Sequence, residues 1–178
     1  MCLRAMRYEE ALVLTRSRGE LLSYLTEPRP WANKIIDIAY NAKSFDLHFI
    51  LNRAILFKWK PYLIMNGLKI MCMKMEHQVF SDSVSFLLFP PGRLPEAFCV
   101  TVAKSWYPHY FNTEDNIDYI GPLAGVSYCV VNEMDEGERN EFLEWYATQK
   151  PPFDNRRVLE QYCQDDVKVL RQACRVFR

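Results

Sequence analysis

Residues 34–51 constrain the fold more than any other stretch. Lys34-Ile-Ile-Asp-Ile-Ala-Tyr40 is short and rich in β-branched side chains, which suit a buried pleated surface, so it reads as a strand. Asn41-Ala-Lys-Ser44 then turns the chain, and Phe45-Asp-Leu-His-Phe-Ile-Leu51 repeats its apolar positions at helical spacing. Strand, turn and helix follow without a break, and a carboxylate, Asp46, stands where the helix starts. Such a unit lays a helix across a sheet, so the expected class is α/β, with helices flanking a mixed sheet. A chain of 178 residues that is 49% hydrophobic can bury one sizeable core, and one domain over 1–178 is expected.

The flanking sequence fits that frame. Ser17-Arg-Gly-Glu20 has capping-box spacing and predicts a helix reaching about Leu25, before Glu27-Pro-Arg-Pro30 breaks it. Tyr62 to Met65 and Leu68 to Met75 flank Asn66-Gly67, which predicts a hairpin closed by a type I′ turn with both central residues at positive φ. Val79 to Asp82 reads as another strand, and Leu94 to Cys99 as a short helix after Phe89-Pro-Pro-Gly92. Tyr107 to Gly121 lacks a clear period and reads as an ordered surface loop, a kind of segment that often carries function. Two helices are expected beyond it, Asp135 to about Thr148 and Asp154 to the end, separated by Lys150-Pro-Pro-Phe153. In the second, Val158, Leu159, Tyr162, Cys163, Asp166, Val169, Leu170, Ala173 and Phe177 share one stripe, interrupted by the single carboxylate of Asp166.

Composition narrows the partners. Twenty-two basic residues balance twenty-two acidic ones, so no overall field draws the protein to nucleic acid or to an anionic membrane, and any DNA contact must be local. Neither a signal-peptide core nor a run long enough to span a membrane is found, and an intracellular location, nuclear or cytoplasmic, is expected. Six cysteines without a C-x-x-C pair and three dispersed histidines point to reduced thiols and away from a zinc site.

Asp46 and Asp166 are the two carboxylates placed for chemistry. Two-metal phosphodiester hydrolysis needs several carboxylates converging on cations about 3.5–4 Å apart. On local sequence alone, an Asp at a helix start is first of all a partner for the helix dipole. Asp166 is less easily explained away, because a carboxylate inside an apolar stripe costs several kcal/mol unless paired or ligated. Tyr162, one turn earlier on the same face, can be a core aromatic or can hold a water with its hydroxyl.

The residues around these two aspartates carry a resemblance. Ala39-Tyr-Asn-Ala-Lys-Ser-Phe-Asp46 resembles the second exonuclease motif of family B DNA polymerases in their protein-primed viral, plasmid and mobile-element branch. Tyr162-Cys-Gln-Asp-Asp166 is similar to the third motif, a Tyr and an Asp separated by three residues. Between them, Phe80-Ser-Asp-Ser83 with Leu94-Pro95 and Phe98, Lys104-Ser-Trp-Tyr-Pro-His-Tyr-Phe-Asn112, Asn116 to Gly121 and Glu141-Phe-Leu-Glu-Trp-Tyr146 follow the family's order. The resemblance runs from about residue 20 to the end. It implies an RNase H-like, DnaQ-like fold and a 3′–5′ proofreading exonuclease that uses two divalent cations, Mg²⁺ or Mn²⁺. It further implies that Asp46 and Asp166 bind metal, that Tyr162 positions the attacking water, and that Lys104 lies near the scissile phosphate with Tyr107 close by. Asn41 and Phe45 match positions that hold a single-stranded primer end. A terminal protein is the implied partner of a full-length parent.

The chain also departs from that pattern. The family's first motif, Asp-x-Glu, occurs nowhere in it, and neither does the Asp-Thr-Asp of the polymerase site. Tyr40 stands where a His is usual. These departures lead to the expectation of an N-terminally incomplete exonuclease domain, without palm, fingers or thumb, that is inactive alone. Such a domain would be marginally stable, with apolar surface exposed near residues 34–40, where a sheet lacking its leading strands leaves an edge. The alternative is a single-stranded-DNA-binding remnant of a mobile element without catalysis.

Overall fold

The structure, a computed structural model, describes residues 18–27, 34–102 and 105–177. These described residues divide into two compact units, one of those up to 101 together with those from 167 on, and the other of those between 102 and 166.

In the first unit a helix, α1 (Arg18–Thr26), leads into the strand β1 (Ile35–Ala39). Ser17, the cap of the expected capping box, lies outside the described residues. The turn at 40–45 delivers the chain into α2 (Asp46–Leu56), which buries Leu47, Ile50 and Ala54 along one face. The helix ends as Lys58 adopts a left-handed φ of 58° and Trp59 N–H returns to the Ala54 carbonyl, a closure in which glycine is the usual residue.

Three strands follow, β2 (Tyr62–Asn66), β3 (Lys69–Met75) and β4 (Gln78–Asp82). The sheet order is β1-β4-β3-β2, with β1 parallel to β4 and the other pairings antiparallel. The expected hairpin is present, but its turn is displaced. Asn66 pairs with Lys69, which leaves Gly67 and Leu68 as the central residues, and only Gly67 has positive φ, at 58°. Glycine in the first central position is the signature of a type II′ turn, so Asn66 extends the ladder and does not form the bend. Ile64 pairs with Cys72 and Met65 with Ile70, so Met71 is an extra residue on β3. That bulge switches the strand's parity, which is why Ile70 and Met73, three positions apart, are both buried.

The core of this unit joins Leu21 and Leu25 of α1, Ala42, Leu47 and Ile50, Ile70 and Met73 of β3, and Phe80 of β4. Gln78 ties helix to sheet, its side-chain amide donating to the Leu25 carbonyl. Among the described residues β1 pairs only with β4, and Ile36 on it is 51% exposed, as the reading of an apolar edge near residues 34–40 anticipates. The short helix α3 (Leu94–Ala97) stops two residues earlier than expected, because Cys99 takes a φ of 50°.

The second unit begins with a long connection that is less exposed than a surface loop. Tyr107, Pro108 and Phe111 are buried. Phe111 packs edge-on against Tyr119, Tyr128 and Phe153. A two-stranded ribbon joins β5 (Ile120–Gly121) to β6 (Phe153–Asp154), with α4 (Glu136–Thr148) between them in sequence. The helix starts one residue later than expected, with Asp135 as its cap, whose carboxylate accepts from Glu138 N–H at 2.8 Å. The last helix, α5 (Asn155–Phe177), belongs to both units by sequence. Its stripe is only partly core. Val169 and Ala173 are buried, whereas Phe177 is 53% exposed and rests against Phe86 at 5.5 Å.

Candidate functional site

Asp46 is the first residue of α2, delivered there by the turn that follows β1. Asn41 opens that turn in a left-handed conformation, φ 54°, which Asn tolerates better than most residues. Its side-chain oxygen accepts from the Ser44 hydroxyl at 2.8 Å. Phe45, immediately before Asp46, is 69% exposed, so one face of the turn presents an aromatic ring to solvent.

Asp82 holds this turn in place. Fully buried at the end of β4, it accepts from Lys43 N–H at 3.2 Å and Val84 N–H at 2.8 Å. Lys43 Nζ lies 3.7 Å from the same carboxylate. The parallel register sets Asp82 opposite Ala39, the last residue of β1, so a buried anion ends β4 beside the start of the turn. Burial raises the Asp46 carboxyl above its ordinary range, and the negative charge of Asp82 adds to the rise. Tyr40 is pushed up by the same two causes in the same order. Within Phe80-Ser-Asp-Ser83 nothing local marks Asp82 for this role.

Asp37 was also missed. It sits in the middle of β1, buried, and lines with Asp46 a cavity of about 10 Å³, close to the space that one water needs. A signal for it existed, because a carboxylate inside Ile35-Ile-Asp-Ile38 is costly in a buried strand and calls for a reason.

On α5, the Tyr162 hydroxyl hydrogen-bonds the Asp166 carboxylate one turn on, as same-face spacing predicts. Burial, then the charge of Asp166 and that bond, raise the Tyr162 phenol well above its usual value, which keeps it a protonated donor. The Tyr162 ring meets His109 at 5.2 Å and Tyr107 at 5.7 Å. Tyr107 is buried and its hydroxyl donates to Asn155 Oδ1 at 2.8 Å. That side chain therefore pins its segment to the start of α5. Lys104 lies outside the described residues.

Asn155 is a third missed residue, this one without a signal in the sequence. Fully buried, it receives Tyr107, donates its amide to the Asn116 carbonyl at 2.7 Å, and its own N–H reaches the Tyr119 carbonyl at 3.0 Å. One residue, through its side chain and its backbone N–H, thus fixes both ends of the 107–119 segment.

The fit to a pair of divalent cations can be tested on the donor set. Asp46 and Asp37 share a cavity, but both oxygens of nearby Asp82 are committed to backbone N–H groups. Among the described residues no group of three or more His, Cys, Asp or Glu side chains is arranged to hold a metal ion. The described residues do not fit a two-cation centre.

Fold and site together define an α/β protein with one carboxylate at a strand–turn–helix junction and a Tyr–Asp pair on a long helix. The family of DNA polymerase type B, organellar and viral, matches residues 31–178, and the chain belongs to that family. No curated protein and no solved structure matches the chain. DNA is accordingly the substrate class of the family. Among the described residues no helix is long and apolar enough to cross a membrane.

Proposed function

We propose that this chain is the 3′–5′ proofreading exonuclease region of a protein-primed type B DNA polymerase, that its larger sheet is RNase H-like, and that it grips a single-stranded primer end without hydrolysing it alone. The hydrogen-bonded Tyr162–Asp166 pair, in a chain of the type B family, carries the reading. In it Phe45 stacks a frayed base, a task its exposed ring suits, and Asn41 and Lys104 bond sugar and phosphate. Asp46 and Asp166 are the exonuclease carboxylates, and Tyr162 keeps its proton to orient a water. With no Asp-x-Glu in the sequence and no three-ligand group among the described residues, no hydrolytic step is assigned to the chain by itself. A terminal protein belongs to this reading only as a partner of a longer parent enzyme.

The test has two arms. In Mg²⁺ or Mn²⁺, wild type, Asp46→Ala and Asp166→Ala should degrade a single-stranded oligonucleotide at one common background rate. Metal-dependent digestion lost in both variants would remove the claim of inactivity and keep the exonuclease assignment. Fluorescence anisotropy should show salt-sensitive binding of the same oligonucleotide that weakens in Phe45→Ala and Lys104→Ala. No binding at low salt removes the exonuclease assignment.

A further inference from the structure

Within the 102–166 unit lies a cavity of about 300 Å³, at the lower end of small-molecule sites. Its walls are aromatic. Trp106 meets Phe142 edge-on at 5.5 Å, and Tyr107, His109 and Tyr162 pack mutually at 5.2 to 5.7 Å. Because Tyr107 is anchored to buried Asn155, this wall is set before any ligand arrives.

The polar groups are as informative as the rings. Glu133 and Glu138 line the cavity and are exposed, so they sit at its mouth, and among the described residues no Lys or Arg lines it. Ser105, another lining residue, has a buried hydroxyl with no hydrogen-bond partner among the described residues. A phosphate entering here would meet two carboxylates and, among the described residues, no ammonium or guanidinium to offset it. An aliphatic ligand would leave the polar groups unanswered. A flat heteroaromatic ring stacks on the walls, and an amino group on its edge donates to a carboxylate.

We propose that this cavity binds a nucleobase bearing an exocyclic amino group, stacked against the aromatic wall, with Glu133 or Glu138 accepting from the amine and the sugar-phosphate left outside. The inference stands on the cavity's own walls and does not depend on hydrolysis by the chain. Guanine, adenine and cytosine carry such an amine, and uracil and thymine do not. The base can come from a free nucleoside or from the end of a strand.

Calorimetric titration of the whole chain with adenosine, cytidine, uridine and inorganic phosphate tests it. Adenosine and cytidine should saturate, uridine should bind at least about tenfold more weakly, a difference of about 1.4 kcal/mol, and phosphate should neither bind there nor compete. Both glutamates are exposed, so Glu133→Gln with Glu138→Gln should fold normally, as circular dichroism will verify, and should bind adenosine no better than uridine. His109→Ala should weaken every nucleoside by removing part of the wall. Absence of saturable adenosine binding at millimolar concentration, equal uridine binding, phosphate competition, or an unchanged double variant each overturns the proposal. A short oligothymidylate ending in dA that binds more tightly than its all-thymidine counterpart assigns the site to strand ends. Adenosine binding without that preference assigns it to free nucleosides, and both results uphold a base site.

Discussion

Replacing Asp82 should be among the most damaging single changes in the larger unit, and its parts can be separated. Asp82→Ala removes the acceptors of Lys43 N–H at 3.2 Å and Val84 N–H at 2.8 Å, at a side chain with no exposure to solvent. A buried donor left without a partner costs about 1–3 kcal/mol. The Lys43 ammonium adds less, because it sits 3.7 Å away and is 16% exposed, so it can turn toward water when its partner is lost. The sum is about 3–5 kcal/mol, within the range for breaking a buried pair. At about 2–4 °C per kcal/mol for a chain of this size, Tm should fall by roughly 6–20 °C. Asp82→Asn can still accept from Val84 N–H, but its amide nitrogen cannot accept from Lys43, so it should lose about half as much. Lys43→Met should cost under about 1 kcal/mol. Urea unfolding followed by circular dichroism gives all three values. A loss below about 1 kcal/mol for Asp82→Ala, or a Lys43→Met loss equal to it, would refute the assignment of the stability to the backbone bonds. Because the Asp82 charge raises the Asp46 carboxyl, Asp82→Asn should also lower that titration, read by carbon NMR of Asp46.

Three further outcomes are expected. Asp46 titrates higher in the folded chain than in the unfolded one, so its ionised form opposes folding at neutral pH, and the penalty fades as pH falls through the folded value and is gone below the unfolded one. Asp46→Asn should therefore raise Tm at pH 7, with the gain shrinking toward pH 4, and a gain that grows on acidification would contradict the sign. Tyr107→Phe strands Asn155 Oδ1 in a buried site and should cost about 1–3 kcal/mol by denaturant titration, whereas Tyr110→Phe, on an exposed ring, should cost almost nothing. Gly67→Ala meets no atom within 4 Å, so its loss of about 1–2 kcal/mol should come from the left-handed backbone alone, and Gly67→Asn should recover part of it.

Local rules made much of the fold legible, and they failed where distant segments decide. β1, α2 and the hairpin follow from β-branched runs, helical spacing and a glycine turn. The hairpin bend was misplaced because Asn66-Gly67 can serve a I′ turn or merely lead into a II′ turn, and the choice was made by the register of β2 on β3, with its bulge at Met71. Tyr107 was read as lying on a surface loop because its partner, Asn155, is 48 residues away. The Tyr162–Asp166 bond was legible because one helical turn fixes it. Asp37 and Asp82 escaped for opposite reasons. The first is a costly charge in an apolar run that went unquestioned, and the second derives its role from a turn 39 residues earlier in the chain.

The larger unit is discontinuous, closed by residues beyond 166, with Thr101 N–H and hydroxyl both bonded to the Gln172 side chain and Phe86 against Phe177. On a ribosome the smaller unit, 102–166, is therefore fully synthesised before the larger one has its last pieces. A chain released early, between about 167 and 172, would carry every residue of the smaller unit and yet leave the unit that contains Asp46 without its closing turns of helix. A nonsense or frameshift change that spares Asp166 would therefore strike the older part of the nascent chain, the opposite of what its position in the gene suggests.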